Sequence, residues 1–249
     1  MELAGKKIIV TGGVKGLGRA MVEKLLARQA VVTVLDLDQG GLDALKATHD
    51  QIHCVYCDVS EPDQVHAAAA EYQREFRAPD VVINNAGILY SAPLVRLGTA
   101  GVERHDVAMW NKVLAADLSS VFYVTAAFVE AMIRTRTRGV IANVSSVSAG
   151  GNPGQSAYSA AKAGVNALTA TWAKELAPLG IRVVGIAPGY TDTGSTSNAL
   201  SQGMLQEIVK KVPLHRLGKP DEIADGVLSI IENDFFHGKV LELDGGLII

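Results

Sequence analysis

An α/β fold, one parallel sheet of about seven strands with helices on both faces, is predicted by three features of the sequence. Short β-rich runs alternate with longer helical patterns from end to end, the rhythm of a doubly wound sheet. Most β-rich runs are continuously apolar rather than alternating, as strands covered on both faces are. No repeat, low-complexity stretch or linker breaks the order, so residues 1–249 read as a single domain, long enough for a large buried core.

The first strand, Lys7–Thr11, is apolar through Ile8, Ile9 and Val10, runs into Gly12-Gly13 and is followed by a helical pattern over Leu17–Ala27. A second strand, Val31–Asp36, closes on a carboxylate before a short helix at Gly41–Ala47. Ile52–Cys57 reads as the third strand and Asp63–Phe76 as its helix. After the strand Val81–Asn84, the helix Asp106–Ile133 is long and carries apolar or small residues around its circumference, the mark of burial on more than one side. Val140–Val144 delivers Ser145 and Ser146 to the sheet edge, ahead of the similarly apolar helix Ala157–Ala177. Arg182–Ala187, the helix Asp221–Ile231 and Val240–Leu243 complete the alternation. Two stretches interrupt it: Ser91–His105, with Pro93, Gly98 and Gly101, and the Ser/Thr/Gly-rich Gly189–Lys211, which ends in an amphipathic piece from Met204. Both follow carboxyl ends of strands, where open α/β sheets bind ligands, so both are candidates for substrate recognition and a lid.

Composition argues against several classes. With 23 Lys+Arg against 26 Asp+Glu and no block of like charge, nothing supplies the electrostatic footprint of a nucleic-acid binder. No continuous apolar run reaches the roughly 18 residues of a membrane helix, and Met1–Val10 lacks a secretory core. A cytoplasmic chain without membrane attachment is the expectation. Cys54 and Cys57 form a C-x-x-C, a spacing that elsewhere marks redox or zinc chemistry. On a strand such residues point to opposite faces about 10 Å apart, too far for a disulfide. No second pair completes a zinc site, so both are read as ordinary strand cysteines and no metal is expected.

Two constellations carry chemistry. The turn Thr11-Gly12-Gly13-Val14-Lys15-Gly16-Leu17-Gly18 lies between a strand and a helix, where glycines let backbone N–H groups approach a pyrophosphate at the positive helix end. Its G-x-x-x-G-x-G spacing differs from the general G-x-G-x-x-G fingerprint. Asp36, at the end of the next strand, can accept both adenosine ribose hydroxyls and would repel a 2′-phosphate. The second constellation is Tyr158-Ser159-Ala160-Ala161-Lys162. Its i, i+4 spacing sets a phenol and an ammonium on one helical face, where the cation favours the phenolate and moves a poor acid–base group towards the working range.

In this order the residues resemble a family, the short-chain dehydrogenases/reductases, over essentially the whole chain. Besides the two constellations, the resemblance rests on Asp58-Val59, Asn84-Asn85-Ala86-Gly87 and Pro188-Gly189-Tyr190-Thr191-Asp192-Thr193. Arg216-Leu217-Gly218-Lys219-Pro220-Asp221-Glu222-Ile223-Ala224 and Asp244-Gly245-Gly246 are similar to the family's bacterial members, such as 3-oxoacyl-carrier-protein reductases. The resemblance implies a Rossmann-type fold and an NAD(P)-dependent oxidoreductase interconverting a small-molecule secondary alcohol and a ketone by hydride transfer. It implies Tyr158 as the acid of reduction and base of oxidation, Lys162 as the group that holds the nicotinamide ribose and depresses the Tyr158 pKa, and Ser146 as the hydrogen-bond partner of the substrate oxygen. Gly12, Lys15, Gly16, Leu17, Gly18 and Asp36 are implied along the cofactor, with Asp58 and Val59 at its adenine. Asn85, Ala86 and Gly87 would line it, and Pro188, Gly189, Thr191 and Thr193 would position the nicotinamide. A homodimer or homotetramer through the two apolar helices is implied too, with Gly245–Ile249 near another interface. The alternative is a nucleotide-binding redox sensor or scaffold that keeps the fold with weak catalysis.

Three departures qualify the transfer. The family's usual Asn in the long central helix is Asp117 here, which accepts hydrogen bonds but cannot donate them as an amide does. Paired with Lys162, it would weaken the cation's pull on Tyr158 and alter the pH profile. Ser146 matches the motif, yet Tyr158 follows one residue sooner than usual, which gives Ser145 the customary spacing. Adjacent strand residues face opposite ways, so only one serine can serve, and Ser146 is expected. Lys15 stands where NADP-using members often carry a basic residue. An anion directly at the ribose outweighs a flexible ammonium, so NAD is expected, with NADP the alternative.

Overall fold

In the computed structural model, residues 1–98, 101–194, 196 and 202–247 are described. Their strands are β1 (Lys7–Thr11), β2 (Val31–Asp36), β3 (His53–Tyr56), β4 (Val81–Asn84), β5 (Val95–Gly98), β6 (Gly101–Arg104), β7 (Gly139–Val144), β8 (Ile181–Pro188) and β9 (Val240–Leu243). The helices are α1 (Gly16–Ala27), α2 (Gln39–Thr48), α3 (Pro62–Phe76), α4 (Val107–Leu114), α5 (Ser120–Thr135), α6 (Ser156–Leu176), α7 (Gln202–Lys211) and α8 (Pro220–Glu232).

Seven strands form one sheet in the order β3-β2-β1-β4-β7-β8-β9, and every pairing in it is parallel. The chain builds outward from β1 through β2 to β3, then returns to lay β4 on the other side of β1. That reversal opens a crevice beyond the carboxyl ends of β1 and β4, the place where doubly wound sheets hold ligands.

The continuous apolar runs become alternating when read against two cores. Ile8 and Val10 of β1, Val81 and Ile83 of β4, and Val184 and Ile186 of β8 pack into one, with Leu25 of α1, Leu42 of α2 and Val227 of α8. Ile9, Val82 and Val183 face the other, with Val65 of α3, Phe128 of α5 and Ala173 of α6. A strand with both faces covered needs apolar side chains at every position, which is why each reads as an unbroken run. Trp172 packs against the second core. Trp110 and Tyr158 join a smaller cluster around Val113, Ala157 and Ala161 near the crevice.

Three features depart from the sequence expectations. The long helix over Asp106–Ile133 is not uniform: a π turn, Ala115–Ser119, separates α4 from α5 and carries the buried Asp117. Such turns insert one residue into the helical ladder and re-aim side chains, a change that apolar periodicity does not reveal. The connection Ser91–His105 contains an antiparallel hairpin, β5 against β6, closed by an Arg96–Glu103 ion pair of 2.6 Å. The third strand is shorter than Ile52–Cys57, and Cys54 and Cys57 are free thiols, with burial pushing Cys57 up to about 11. The helical run Val107–Thr135 holds a stretch of mean hydropathy 1.5, half of it buried. Val124, Phe128 and Met132 within it face the second core, so its apolarity is that of a core helix. Of the connection Gly189–Lys211, residues 195 and 197–201 lie outside the described residues, as do 248–249 of the tail.

Candidate active site

The glycine turn is shaped by close approach. A Cβ on Gly18 would lie 2.0 Å from the Gly12 carbonyl oxygen, and one on Gly12, at φ +66°, would meet Ala86 Cα at 2.9 Å. The turn is tied to β4 by Thr11, whose Oγ1 accepts the N–H groups of Asn85 and Ala86 at 3.0 Å each. The Asn85 amide returns two bonds, to the carbonyls of Thr11 and Gly12. Asn85 therefore acts on the turn itself, while Ala86 and exposed Gly87 border the crevice.

A dinucleotide fits these residues. The first turn of α1 has no acidic residue, and its N-cap, the exposed Lys15, makes no side-chain cap. Its N–H groups and dipole are thus left to an anion. Leu17 packs against the first core and fixes the helix start. Asp36 is buried at the end of β2, where one carboxylate oxygen accepts from Val14 N at 3.2 Å and the other from Asp38 N at 3.1 Å. Asp58 folds back on Ser60, accepting its N–H and hydroxyl, and Val59 is buried beside it. Across the crevice, Pro188 ends β8, and Gly189 approaches Asp244 so closely that a Cβ would lie 2.6 Å from its Cα. Thr191 bonds the Gly189 carbonyl at 3.1 Å. Thr193 faces the glycine turn, 4.0 Å from where a Gly16 Cβ would stand.

The titratable groups meet at the start of α6. Lys162 is buried; its ammonium donates to the Val144 carbonyl at 3.1 Å and lies 3.3 Å from Asp117 Oδ2 and 5.5 Å from the Tyr158 ring centre. Asp117 Oδ1 accepts the Ile88 N–H at 2.7 Å. Burial raises the Asp117 carboxyl above its ordinary range, against the pull of Lys162 and Ile88. Burial alone would lower the Lys162 ammonium, but Asp117 and Tyr158 outweigh it and hold the ammonium above its ordinary value. Burial also raises the Tyr158 phenol; Lys162 and hydrogen bonding from Ser146 pull down, while Asp117 and Tyr190 push up. The expected net depression of Tyr158 is thus not present. Desolvation exceeds the cation's pull, part of which Asp117 neutralises.

The two serines differ in what they touch. Ser145 Oγ donates to the Lys162 carbonyl at 3.2 Å, which commits its proton. Ser146 Oγ accepts from Ser148 N at 3.1 Å and keeps its proton for a partner on the Tyr158 side. Sequence reasoning missed Thr11, whose residue type is unremarkable in a strand. It also missed a polar group beside the site: the Asn152 amide donates to Gln155 Oε1 at 3.1 Å and to Tyr190 Oη at 2.9 Å. These three line a cleft of about 540 Å³, with Ser91 and Pro93 on one wall and Met204, Glu207 and Ile208 of α7 on another.

A glycine cradle at the sheet's reversal, with a phenol, an ammonium and a hydroxyl at the neighbouring strand ends, defines a class: the doubly wound dinucleotide-dependent oxidoreductases. Residues 6–203 match the short chain dehydrogenase family model. The chain belongs to the short-chain dehydrogenase family. It is 36% identical over 256 residues to 3-oxoacyl-acyl-carrier-protein reductase FabG of Thermotoga maritima, covering 100% of both chains. It is 34% identical to the protein of that name from Salmonella typhimurium, covering 99% of each. To (3R)-3-hydroxyacyl-CoA dehydrogenase of Canis lupus familiaris it is 33% identical, over 99% of this chain and 98% of the other. The protein is accordingly an NAD(P)-dependent oxidoreductase acting on a CH–OH/C=O pair.

Proposed function

We propose that the protein interconverts a secondary alcohol and a ketone with Tyr158 as general acid and base. The observation that carries this is the convergence of Tyr158, Lys162 and Ser146, whose hydroxyl is turned toward Tyr158 rather than into the fold, at one strand-end corner. In reduction, Tyr158 Oη gives its proton to the carbonyl oxygen, while Ser146 donates a hydrogen bond to the same oxygen and stabilises its developing charge. In oxidation the Tyr158 phenolate takes the alcohol proton. Lys162 stabilises that phenolate, and Asp117 keeps Lys162 charged. A nicotinamide supplies or accepts the hydride when bound. Gly12, Gly16, Leu17 and Gly18 would hold its pyrophosphate at the start of α1, and Asp58 and Val59 its adenine. Asn85, Ala86 and Gly87 would flank it, with Pro188, Gly189, Thr191 and Thr193 at its reactive end.

Asp36 supports NAD as the preferred cofactor, because a buried carboxylate fixed over the glycine turn meets a 2′-phosphate with like charge; the exposed Lys15 is a local counterweight. The names of the relatives, a 3-oxoacyl reductase and a 3-hydroxyacyl dehydrogenase, support a chain oxygen of that kind as the reacting group. We also propose a homodimer or homotetramer formed through α5 and α6.

The test follows nicotinamide absorbance with ketones and alcohols under both cofactors. Tyr158→Phe should retain cofactor binding and lose turnover by about 1000-fold or more, within the usual range for acid–base groups. Turnover that survives in Tyr158→Phe overturns the assignment. A larger kcat/KM with NADPH than with NADH overturns the cofactor preference.

A further inference from the structure

The loop ahead of α6 reaches the segment after β8 with one side chain. Asn152 donates both hydrogens of its amide, one to Gln155 Oε1 at 3.1 Å and one to Tyr190 Oη at 2.9 Å. The first bond stays within the loop; the second spans 38 residues of sequence. Asn152 is a braced donor. Its backbone N–H bonds Ser159 Oγ at 3.3 Å, one residue beyond Tyr158 on α6, and its carbonyl accepts the Gln155 N–H at 3.0 Å. Gln155 is buried and is tied in turn to Ser91 by its amide and to Ala92 by a backbone bridge. Tyr190 is the receiving end, on the segment Gly189–Thr193. The segment's other described bonds stay local or lead away from α6: the Gly189 N–H bonds Leu243 of β9, the Tyr190 carbonyl accepts from Gly218, and the Asp192 N–H donates back to Gly218. Among the described residues, the Asn152 bond is thus the one hydrogen bond that joins this segment to the loop entering α6.

In the function proposed above, the reacting partners are held at opposite ends of that bond. Tyr158 and Ser146 hold the substrate oxygen, and Gly189, Thr191 and Thr193 hold the nicotinamide. Hydride transfer is steep in the spacing of the atoms it joins, and a misplacement of about 1 Å can cost about 100-fold. We infer that Asn152 is a positioning residue which, through Tyr190 Oη, sets the nicotinamide-holding segment against the helix that carries Tyr158. The inference rests on that reading and adds a part to it; it assigns neither Asn152 nor Tyr190 a contact with the reacting atoms.

The experiment compares wild type, Tyr190→Phe, Asn152→Ala and the double variant. Tyr190→Phe keeps the ring and the Asn152–Gln155 bond and removes the joining oxygen. In stopped flow, enzyme preloaded with whichever of NADH and NADPH it uses better is mixed with saturating ethyl 3-oxobutanoate. The single-turnover rate should fall about tenfold in each single variant and no further in the double, because both changes break the same bond. Cofactor Kd and substrate KM should stay within about threefold of wild type. In the free protein, hydrogen exchange at the Asp192 and Gly218 amides should quicken about fivefold or more as the segment loosens. A single-turnover rate in Tyr190→Phe within about twofold of wild type overturns the inference, and this variant decides alone if Asn152→Ala does not fold. A further loss of about tenfold on adding Tyr190→Phe to Asn152→Ala also overturns it, since Tyr190 would then act by itself. Amide exchange that stays unchanged overturns it too. In each of these cases wild type still transfers hydride and the ketone reading stands; if wild type reduces neither ethyl 3-oxobutanoate nor 2-heptanone, both fall.

Discussion

Asp117 is fully buried, with the Ile88 amide on one carboxylate oxygen and the Lys162 ammonium 3.3 Å from the other. An amide at this position could accept the Ile88 bond equally well but would leave Lys162 without a counter-charge. The sign of the effect on Tyr158 follows. Asp117 raises the phenol and Lys162 lowers it, so Asp117→Asn lowers the Tyr158 pKa as long as Lys162 stays protonated. Alcohol oxidation needs the phenolate and ketone reduction the phenol, so the acid limb of the first and the alkaline limb of the second should both move to lower pH. Rate profiles across pH measure this, and limbs that stay in place or move upward overturn the account. Asp117→Ala removes both interactions and strands a buried ammonium, which should cost about 3–5 kcal/mol of stability in denaturant titration.

One hydroxyl does much to hold the glycine turn against the segment after β4. Thr11 Oγ1 takes two N–H groups from the strand-end segment after β4, across 74 and 75 residues of sequence, and contributes its own proton to the Ile83 carbonyl. Thr11→Val keeps the shape and removes all three bonds. Leaving these groups unsatisfied in a buried setting should cost about 2–3 kcal/mol, or roughly 4–12 °C in melting temperature for a chain of this size. Cofactor affinity should fall as well, since Asn85, whose amide braces the carbonyls of Thr11 and Gly12, loses the bond that anchors its own backbone. Calorimetry with and without cofactor reads both effects. The π turn is the second decisive element: it ends α4, starts α5 and seats Asp117 against Lys162 in one step.

At the scale of the whole molecule, the described residues leave an apolar hollow between two helices, bordering the second core through Tyr123. Leu118, Phe122 and Tyr123 of the central helical run lie beside Gly164, Ala167 and Leu168 of α6 around a concavity of about 570 Å³. Phe122 is 52% exposed there. An apolar helix pair with a small-residue groove is a surface suited to a second copy. Phe122→Glu should raise the subunit dissociation constant roughly 30-fold or more, the loss expected when a central aromatic contact is removed. Sedimentation across a concentration series measures it, and an unchanged assembly rules this face out as the interface.

Much of this organisation could be read before any coordinate was known. The strands were legible because burial on both faces forces unbroken apolar runs such as Ile8-Ile9-Val10. The Tyr158–Lys162 pair was legible because helical spacing alone puts i and i+4 on one face. The hairpin and the π turn were not, since two four-residue strands among glycines look like a loop and one extra residue in a helix leaves apolar periodicity almost intact. Local pattern thus determined the fold class, the glycine turn and the phenol–ammonium pair. The tertiary structure alone decided which serine keeps its proton, that Asp117 faces Lys162, that Thr11 locks the turn and that Tyr190 borders the site. Each of those depends on atoms brought together across long stretches of chain, 29 residues from Ile88 to Asp117 and 38 from Asn152 to Tyr190. Contacts of that reach are set by packing, on which residue type and spacing are silent.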